Sequence, residues 1–481
     1  MLGANSRAQA GLDRNLLLLS SVVVAGAIMS ILDTTIVNVA IQSLGRDFGA
    51  PLSTIQWVVT GYMLALASVI PLSGWASERF GTKRLWMLSV VLFVAGSVLA
   101  GVSWSIGSLI VFRVLQGLGG GMIMPVGQTI LAKAAGPQRM GRVMSIIGVP
   151  MLLGPVVGPV LGGWLVEFHS WRWIFFINVP IGAIALVLAY KVLPRDRPKP
   201  AHKLDVVELA LLSPGLALLV YGLAEIGLHG GLGPDPALTL GTTVLGLVLL
   251  GGFAIRGMRH NDEALIDFRL FHSRAFSAAS VTNFLFGLAL FGAMILLPLY
   301  YQTVRHEGAL AAGLLLAPQG LGAALAMPFA GRLTDTIGAR RVVVGGILVS
   351  LAGSLPFAFV GAGTPYWLLA SALFVRGVGL GGTMMPSMAA AYQTLSRNSV
   401  ASATTALSII QRVGGSVGVA LLSVVLQRSI SGSQSSEDIA AAFGTTFWVA
   451  TALTAVAIVP ALFLPRRAPG PVVREVLPEA A

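Results

Sequence analysis

The chain has 481 residues, 55% of them hydrophobic and only 10% charged, with a formal net charge of +12. Water-soluble domains carry about 25% charged residues, so lipid must be the solvent for most of this surface. The basic excess falls in short clusters between apolar runs, which marks orientation in a bilayer and excludes a nucleic-acid footprint. There is no cysteine, so disulfides and thiolate metal sites are excluded, and six scattered histidines without HxxxH or HExxH spacing give no metal signal.

A spanning helix needs about 20 mostly apolar residues. On that measure the chain holds fourteen predicted spans: 15–40, 53–75, 84–104, 106–131, 141–166, 172–193, 204–226, 237–257, 275–300, 309–331, 341–361, 366–392, 399–427 and 444–465. The first run contains Asp33 and lacks a small-residue cleavage site, so it reads as a span and not as a signal peptide. With the N-terminus inside, the outer segments carry only Arg46, Arg172, Arg305 and Arg428. Arg113, Arg376 and Arg412 fall within spans, and the remaining 24 of 31 basic residues lie on the cytoplasmic side. That bias puts both termini in the cytoplasm.

Two segments repeat. Gly74-Trp-Ala-Ser-Glu-Arg-Phe-Gly-Thr-Lys-Arg84 returns 257 residues later as Gly331-Arg-Leu-Thr-Asp-Thr-Ile-Gly-Ala-Arg-Arg341. Gly119-Gly-Gly-Met-Ile-Met-Pro125 returns 261 residues later as Leu380-Gly-Gly-Thr-Met-Met-Pro386. The chain therefore divides into a cytoplasmic tail 1–14, a six-helix bundle 15–193, a linker 194–203, two inserted helices 204–257, a linker 258–274, a six-helix bundle 275–465 and a cytoplasmic tail 466–481. Parallel repeats of this kind place a substrate path between the halves, near mid-membrane.

Within the spans, Asp33 is the one acid deep in either half; Glu225 lies near the outer end of the inserted seventh helix. Arg113 sits about seven residues into an inward-running helix, and Asp33 about seven residues before the outer end of an outward-running one, so both lie ~10 Å below the outer boundary. Matched depth puts them within reach, directly or through Gln116 or water; the bland alternatives are separate polar partners, or an Asp that serves helix contact alone. Ionisable groups at this depth mark functional sites by default. A lone carboxylate in low dielectric holds its proton more tightly, while a nearby arginine opposes this, so the pair is suited to loading and releasing a proton.

Glycines 154, 158 and 162 are four apart and make one smooth face for close packing, while Pro155 and Pro159 each remove a backbone donor and bend that helix. Uncharged candidates for the substrate path are Asn38, Trp57, Tyr62, Gln128, Asn283, Tyr300, Gln319 and Gln411. No GxxxxGK[ST] motif for ATP and no nucleophile–base constellation is present, so neither ATP-driven transport nor an enzyme is expected.

These residues carry a resemblance. The loop with Gly74, Glu78, Arg79, Gly81, Lys83 and Arg84, and its copy with Gly331, Asp335, Gly338, Arg340 and Arg341, resembles the gating loop of the major facilitator superfamily. It departs from the family pattern at Glu78, where Asp is usual, and at Thr82, where Arg is common. Arg113-Val-Leu-Gln-Gly-Leu-Gly119 resembles the fourth-helix motif. Leu32-Asp-Thr-Thr-Ile-Val-Asn-Val-Ala40 and Trp171-Arg-Trp-Ile-Phe-Phe-Ile-Asn-Val-Pro-Ile-Gly182 resemble segments of fourteen-helix drug:proton antiporters of the EmrB and quaternary-ammonium exporter type. Gly154-Pro-Val-Val-Gly-Pro-Val-Leu-Gly-Gly163 is similar to the family's antiporter motif at every stated position.

The resemblance implies an all-α integral membrane protein of the major facilitator fold, two six-helix bundles plus two inserted helices. It implies multi-pass insertion in the plasma membrane (the inner membrane of a bacterium), a small amphipathic substrate, protons as the coupling ion and no other cofactor. Asp33 and Arg113 would couple protons, with Gln116 and Glu225 as secondary candidates. One deep acid fits a monocation or neutral lipophile better than a dication. An importer, or a lipid flippase on the same fold, are the rival readings, and the oligomeric state is left open, with a monomer sufficient.

Overall fold

A computed structural model describes residues 14–136, 139–194, 204–259, 265–393, 395, 399–430 and 435–466. Arg7, Arg195, Arg197, Lys199, Lys203, Arg397, Arg467 and Arg474, which entered the orientation count, lie outside the described residues, as do the side chains of Pro155 and Pro159.

Every regular element among the described residues is helical. The first half is built from α1 (Arg14–Phe48), α2 (Leu52–Val69), α3 (Leu72–Phe80), α4 (Thr82–Gly101), α5 (Ile106–Ala135), α6 (Met140–Phe168), α7 (Trp173–Phe176) and α8 (Asn178–Val192). Two inserted helices follow, α9 (Val206–His229) and α10 (Pro236–Arg259). The second half holds α11 (Arg274–Thr303), α12 (Ala309–Leu315), α13 (Ala317–Ile337), α14 (Ala339–Ala358), α15 (Tyr366–Gln393), α16 (Val400–Ile430), α17 (Ser436–Val456) and α18 (Ile458–Ala461).

Among the described residues twelve helices, in three cases with a short flanking helix, are long and apolar enough to cross a membrane, and α2 with α3 makes a thirteenth if the pair is one span. That pair corrects the sequence expectation of one continuous helix over 53–75: α2 and α3 meet at 57°. Pro71 stands before the first residue of α3, where its ring and missing N–H interrupt the ladder. Proline also lies at the start of α13, separating it from α12. A further 29-residue helix, α6, carries the 154–163 segment.

The repeat is legible in the packing. Gly81 and Gly338 occupy matching turns at φ +83° and +91°, a conformation that costs glycine little, where α3 passes into α4 and α13 into α14. A Cβ on Gly96 would strike the backbone of Gln116, and one on Gly353 would strike that of Arg376. Gly117 lies on the Tyr62 carbonyl as Gly377 lies on that of Gln319. Gly119 lies on Phe93 as Gly379 lies on Ser350. Small residues let backbones approach where no hydrophobic force drives helices together in lipid.

Among the contacts between the halves are those at the end that carries the two repeated loops. There, Gly74 backs onto Ala401 and Thr405 of α16, and Ser73 Oγ lies 3.1 Å from Thr405 Oγ1. On the opposite pairing, Gly331 backs onto Gly141 and Arg142 at the start of α6. Helix α9 leans on both α2 and α16, while α10 packs on α9 and buries little else.

Candidate functional site

Asp33 lies in the middle of α1 and has 1% of its surface exposed. A charge so placed is tolerated only when paired and hydrogen-bonded. Arg113, from α5, sends Nη1 to Asp33 Oδ2 at 2.6 Å. Its Nε donates to the Val58 carbonyl at 3.2 Å, and its guanidinium lies 4.0 Å over the Tyr62 ring. Tyr62 and Val58 belong to α2, so the cation ties three helices together.

The other carboxylate oxygen is held by amides. Gln116 Nε2 donates to Asp33 Oδ1 at 2.7 Å, and Asn178 Nδ2, from α8, donates to the same atom at 3.1 Å. Both amides also reach Ser97 Oγ on α4, at 3.2 and 3.0 Å. Gln116 Oε1 in turn accepts from Arg113 Nη1 at 2.7 Å. Asn178 Oδ1 is buried with no hydrogen-bond partner among the described residues.

The helix that carries residues 154–163 packs on this site from behind. A Cβ on Gly154 would strike Ile31, and one on Gly158 would strike Thr35, the two residues that flank Asp33 by two positions on α1. Gly162 faces Ile36, whereas a Cβ on Gly163 would meet nothing within 4 Å among the described residues. Thr35 Oγ1 lies 3.4 Å from the Gly154 carbonyl. Glycines at this stripe therefore set how close α6 comes to the helix bearing the acid.

At the repeated loops the roles divide. Asp335 accepts the backbone N–H groups of Gly141 at 2.9 Å and Arg142 at 3.3 Å, and its carboxylate lies 3.4 Å from Arg142 Nε. It thus caps the N-terminus of α6 across the boundary between halves, where the helix dipole favours an anion. In the first copy Glu78 is half-buried, Arg79 and Arg84 are exposed, and Lys83 caps the end of α8 through the Tyr190 and Leu193 carbonyls. Arg341 is exposed, and the Arg340 N–H donates to the Pro465 carbonyl at 3.2 Å.

The path candidates scatter. Tyr62 joins the ion-pair site, but Asn38 is exposed, and Trp57 stacks on Tyr221 of α9 with ring centroids 5.9 Å apart. Gln128 is buried, its Oε1 without a partner among the described residues. Asn283 Oδ1 accepts from Ser387, and Tyr300 donates to the Gly361 carbonyl. Gln319 accepts from Arg376, and Gln411 is half-buried on α16. Glu225 is paired with His229 at 3.5 Å on α9 and stands apart from Asp33.

Sequence reasoning passed over three participants. Ser97 carries no pattern of its own. Asn178 lies inside the Trp171–Gly182 segment that carries the resemblance and has no role of its own there, although an amide in an apolar run was the available signal. Arg412, half-buried on α16, reaches across to Met63 Sδ of α2 at 3.7 Å, placing a guanidinium on the boundary between halves.

Comparison with known proteins adds to this geometry. The family model described as Major Facilitator Superfamily matches residues 23–419 and 279–479. The "Multidrug resistance protein B homolog" of Mycobacterium tuberculosis is 42% identical, over 95% of this chain and 91% of that protein. The "Multidrug export protein EmrB" of Haemophilus influenzae is 32% identical, over 84% of this chain and 79% of its own. Among solved structures, a double-tryptophan variant of XylE superposes with a TM-score of 0.66 at 14% identity, covering 95% of this chain and 97% of that one.

Proposed function

This chain belongs to the Major Facilitator Superfamily of membrane transporters, and on that premise we propose that it is a proton-coupled antiporter exporting small amphipathic compounds. The names of the two relatives, one for multidrug resistance and one for multidrug export, support efflux as the direction. The reading takes α6 and the bent α2–α3 pair as spans, which brings the total to fourteen with both termini cytoplasmic and the inner membrane of a bacterium as its location.

One observation carries the coupling: the buried Asp33–Arg113 pair, held by two amides and walled by the glycines of α6. Protonating Asp33 removes the charge that Arg113 answers. The guanidinium keeps Gln116 Oε1 and the Val58 carbonyl, and its grip on α1 is weakened. The amides suit either state of the acid, because an amide donates to a carboxylate through N–H and accepts from a carboxyl through oxygen. Asn178 can rotate to present its unpartnered Oδ1 to the new O–H. Loosening α1 from α5 relays to α6 through the glycine stripe, and the halves rock about the path.

The two sources of drive are the membrane potential, worth about 2.3 kcal/mol per 100 mV for each charge, and the pH gradient, about 1.4 kcal/mol per unit. Arg412 on the boundary between halves disfavours cations, so of the monocation and the neutral lipophile expected from the sequence the neutral compound fits this path better, and acidic amphiphiles join it. Dye accumulation by cells expressing the protein tests efflux. Carboxyfluorescein, Nile red and ethidium serve as acidic, neutral and cationic probes, with and without an uncoupler. Lower accumulation that the uncoupler abolishes is expected; equal accumulation in expressing and empty cells for every probe would contradict it.

A further inference from the structure

The repeat relates the Asp33 site to a second place in the molecule. Gly96 on Gln116 in the first half answers to Gly353 on Arg376 in the second, and Gly117 on Tyr62 answers to Gly377 on Gln319. By the same register Ser97 corresponds to Ser354. Arg376 therefore stands where Gln116 stands, and Gln319 where Tyr62 does.

What surrounds Arg376 is a small cavity. Its walls include Ala289 and Ala293 of α11, Ser354 of α14, and Thr451 and Thr454 of α17. These helices are the counterparts of α1, α4 and α8, which supply Asp33, Ser97 and Asn178 to the first site. The second half thus has alanines on the helix that carries the carboxylate in the first half, and a guanidinium in the position of the amide. The cavity has room for about one water-sized guest.

The electrostatics are unbalanced there. Arg376 has 7% of its surface exposed, and its hydrogen bond goes to the neutral Gln319 Oε1. Among the described residues no carboxylate lies within ion-pair distance of it. A buried cation without a counter-charge is strongly disfavoured. Thr451, also 7% exposed, brings to the same cavity a hydroxyl with no hydrogen-bond partner among the described residues.

We propose that this cavity binds a monatomic anion, chloride being the physiological one, which does for Arg376 what the Asp33 carboxylate does for Arg113. The guanidinium and the Thr451 hydroxyl are its donors. Apolar walls from Leu297, Phe357 and Phe447 exclude larger polyatomic anions. Chloride then completes the second half, leaving the titrating acid to the first. The proposal does not depend on the direction of transport or on proton coupling.

Equilibrium binding of radiolabelled chloride to the purified full-length protein in detergent tests this, at constant ionic strength made up with gluconate. Wild type is expected to show saturable binding approaching one ion per chain. Arg376→Gln should lose it, and Thr451→Val should weaken it ~10-fold, the loss of one charge-assisted hydrogen bond. Ala293→Asp, which supplies a carboxylate from the protein itself, should abolish chloride binding while the protein still runs as a single species on size exclusion. A wild type with no saturable binding, as expected if only water occupies the cavity, overturns the proposal. If Arg376→Gln does not fold, the other two variants decide: undiminished binding in both overturns it equally.

Discussion

At the scale of single residues, the chemistry rests on how many bonds each charged group makes. Arg113 divides its guanidinium among Asp33, Gln116 and the Val58 carbonyl, a fork that a lysine cannot reproduce. Arg113→Lys keeps the charge and loses the geometry, so transport in proteoliposomes is expected to fall ~10-fold or more while a Tm shift of only a few degrees shows the protein folded. Asn178→Leu removes the amide that can serve both protonation states. It should shift the pH dependence of transport, a result that a purely structural Asn would not give; an unchanged pH profile counts against the dual role. Matched depth along two antiparallel helices made the approach of Asp33 and Arg113 legible in the sequence. The amide ring was not, because Ser97 and Asn178 reach the acid only through the crossing of α4 and α8, which no local pattern encodes.

At the scale of elements, glycine positions decide which helices can approach. A side chain at position 158 has no space beside Thr35, so Gly158→Val is expected to push α6 off α1, costing about 1–3 kcal/mol and most of the transport activity. Gly163→Ala, with nothing within 4 Å of the added carbon, is the control and should be silent in both thermal stability and transport.

The inserted pair makes a different prediction. Asp205 caps α9 through the N–H groups of Val207 and Glu208 and pairs with Arg256 of α10 at 2.7 Å. Burial opposes its ionisation, but those N–H groups and Arg256 outweigh it and hold its carboxyl below the usual value. A carboxyl depressed in the folded state adds stability that is complete above its unfolded pKa and is lost as pH falls through the folded one. Asp205→Ala should therefore cost ~1 kcal/mol near neutrality and less in strong acid, as read by thermal melts across pH. Sequence reasoning located the apolar helices but not the break at Pro71. Membrane helices often absorb proline without breaking, and the neighbours decide which outcome holds.

At the scale of the whole molecule, the two halves share a scaffold and differ in charge. The same glycine contacts recur in both, yet the first half buries an acid with its arginine and the second an arginine beside a neutral amide. The repeated loops announced the two halves in the sequence. Which loop residues bridge them was hidden, since Asp335 does so by capping α6, a partner 193 or 194 residues away. Asp335→Asn weakens that cap and should loosen the boundary at the loop end. The chain has no cysteine of its own, so a single Met385→Cys, placed where α15 meets Gly148 of α6, reports on it. Its labelling by maleimide from that side is expected to rise several-fold in the Asp335→Asn background; unchanged labelling would mean that the cap does not hold the gate.

The central claim is that Asp33 carries the coupled proton, and it is tested most directly in proteoliposomes with a pH indicator in the lumen and Nile red or carboxyfluorescein as cargo. In the wild type an imposed pH gradient should drive the dye against its own gradient while the pH gradient collapses in step. Asp33→Asn, shown to be folded by size exclusion, should move dye only down its gradient and leave the lumenal pH untouched. Full proton-driven dye movement by Asp33→Asn would contradict the account.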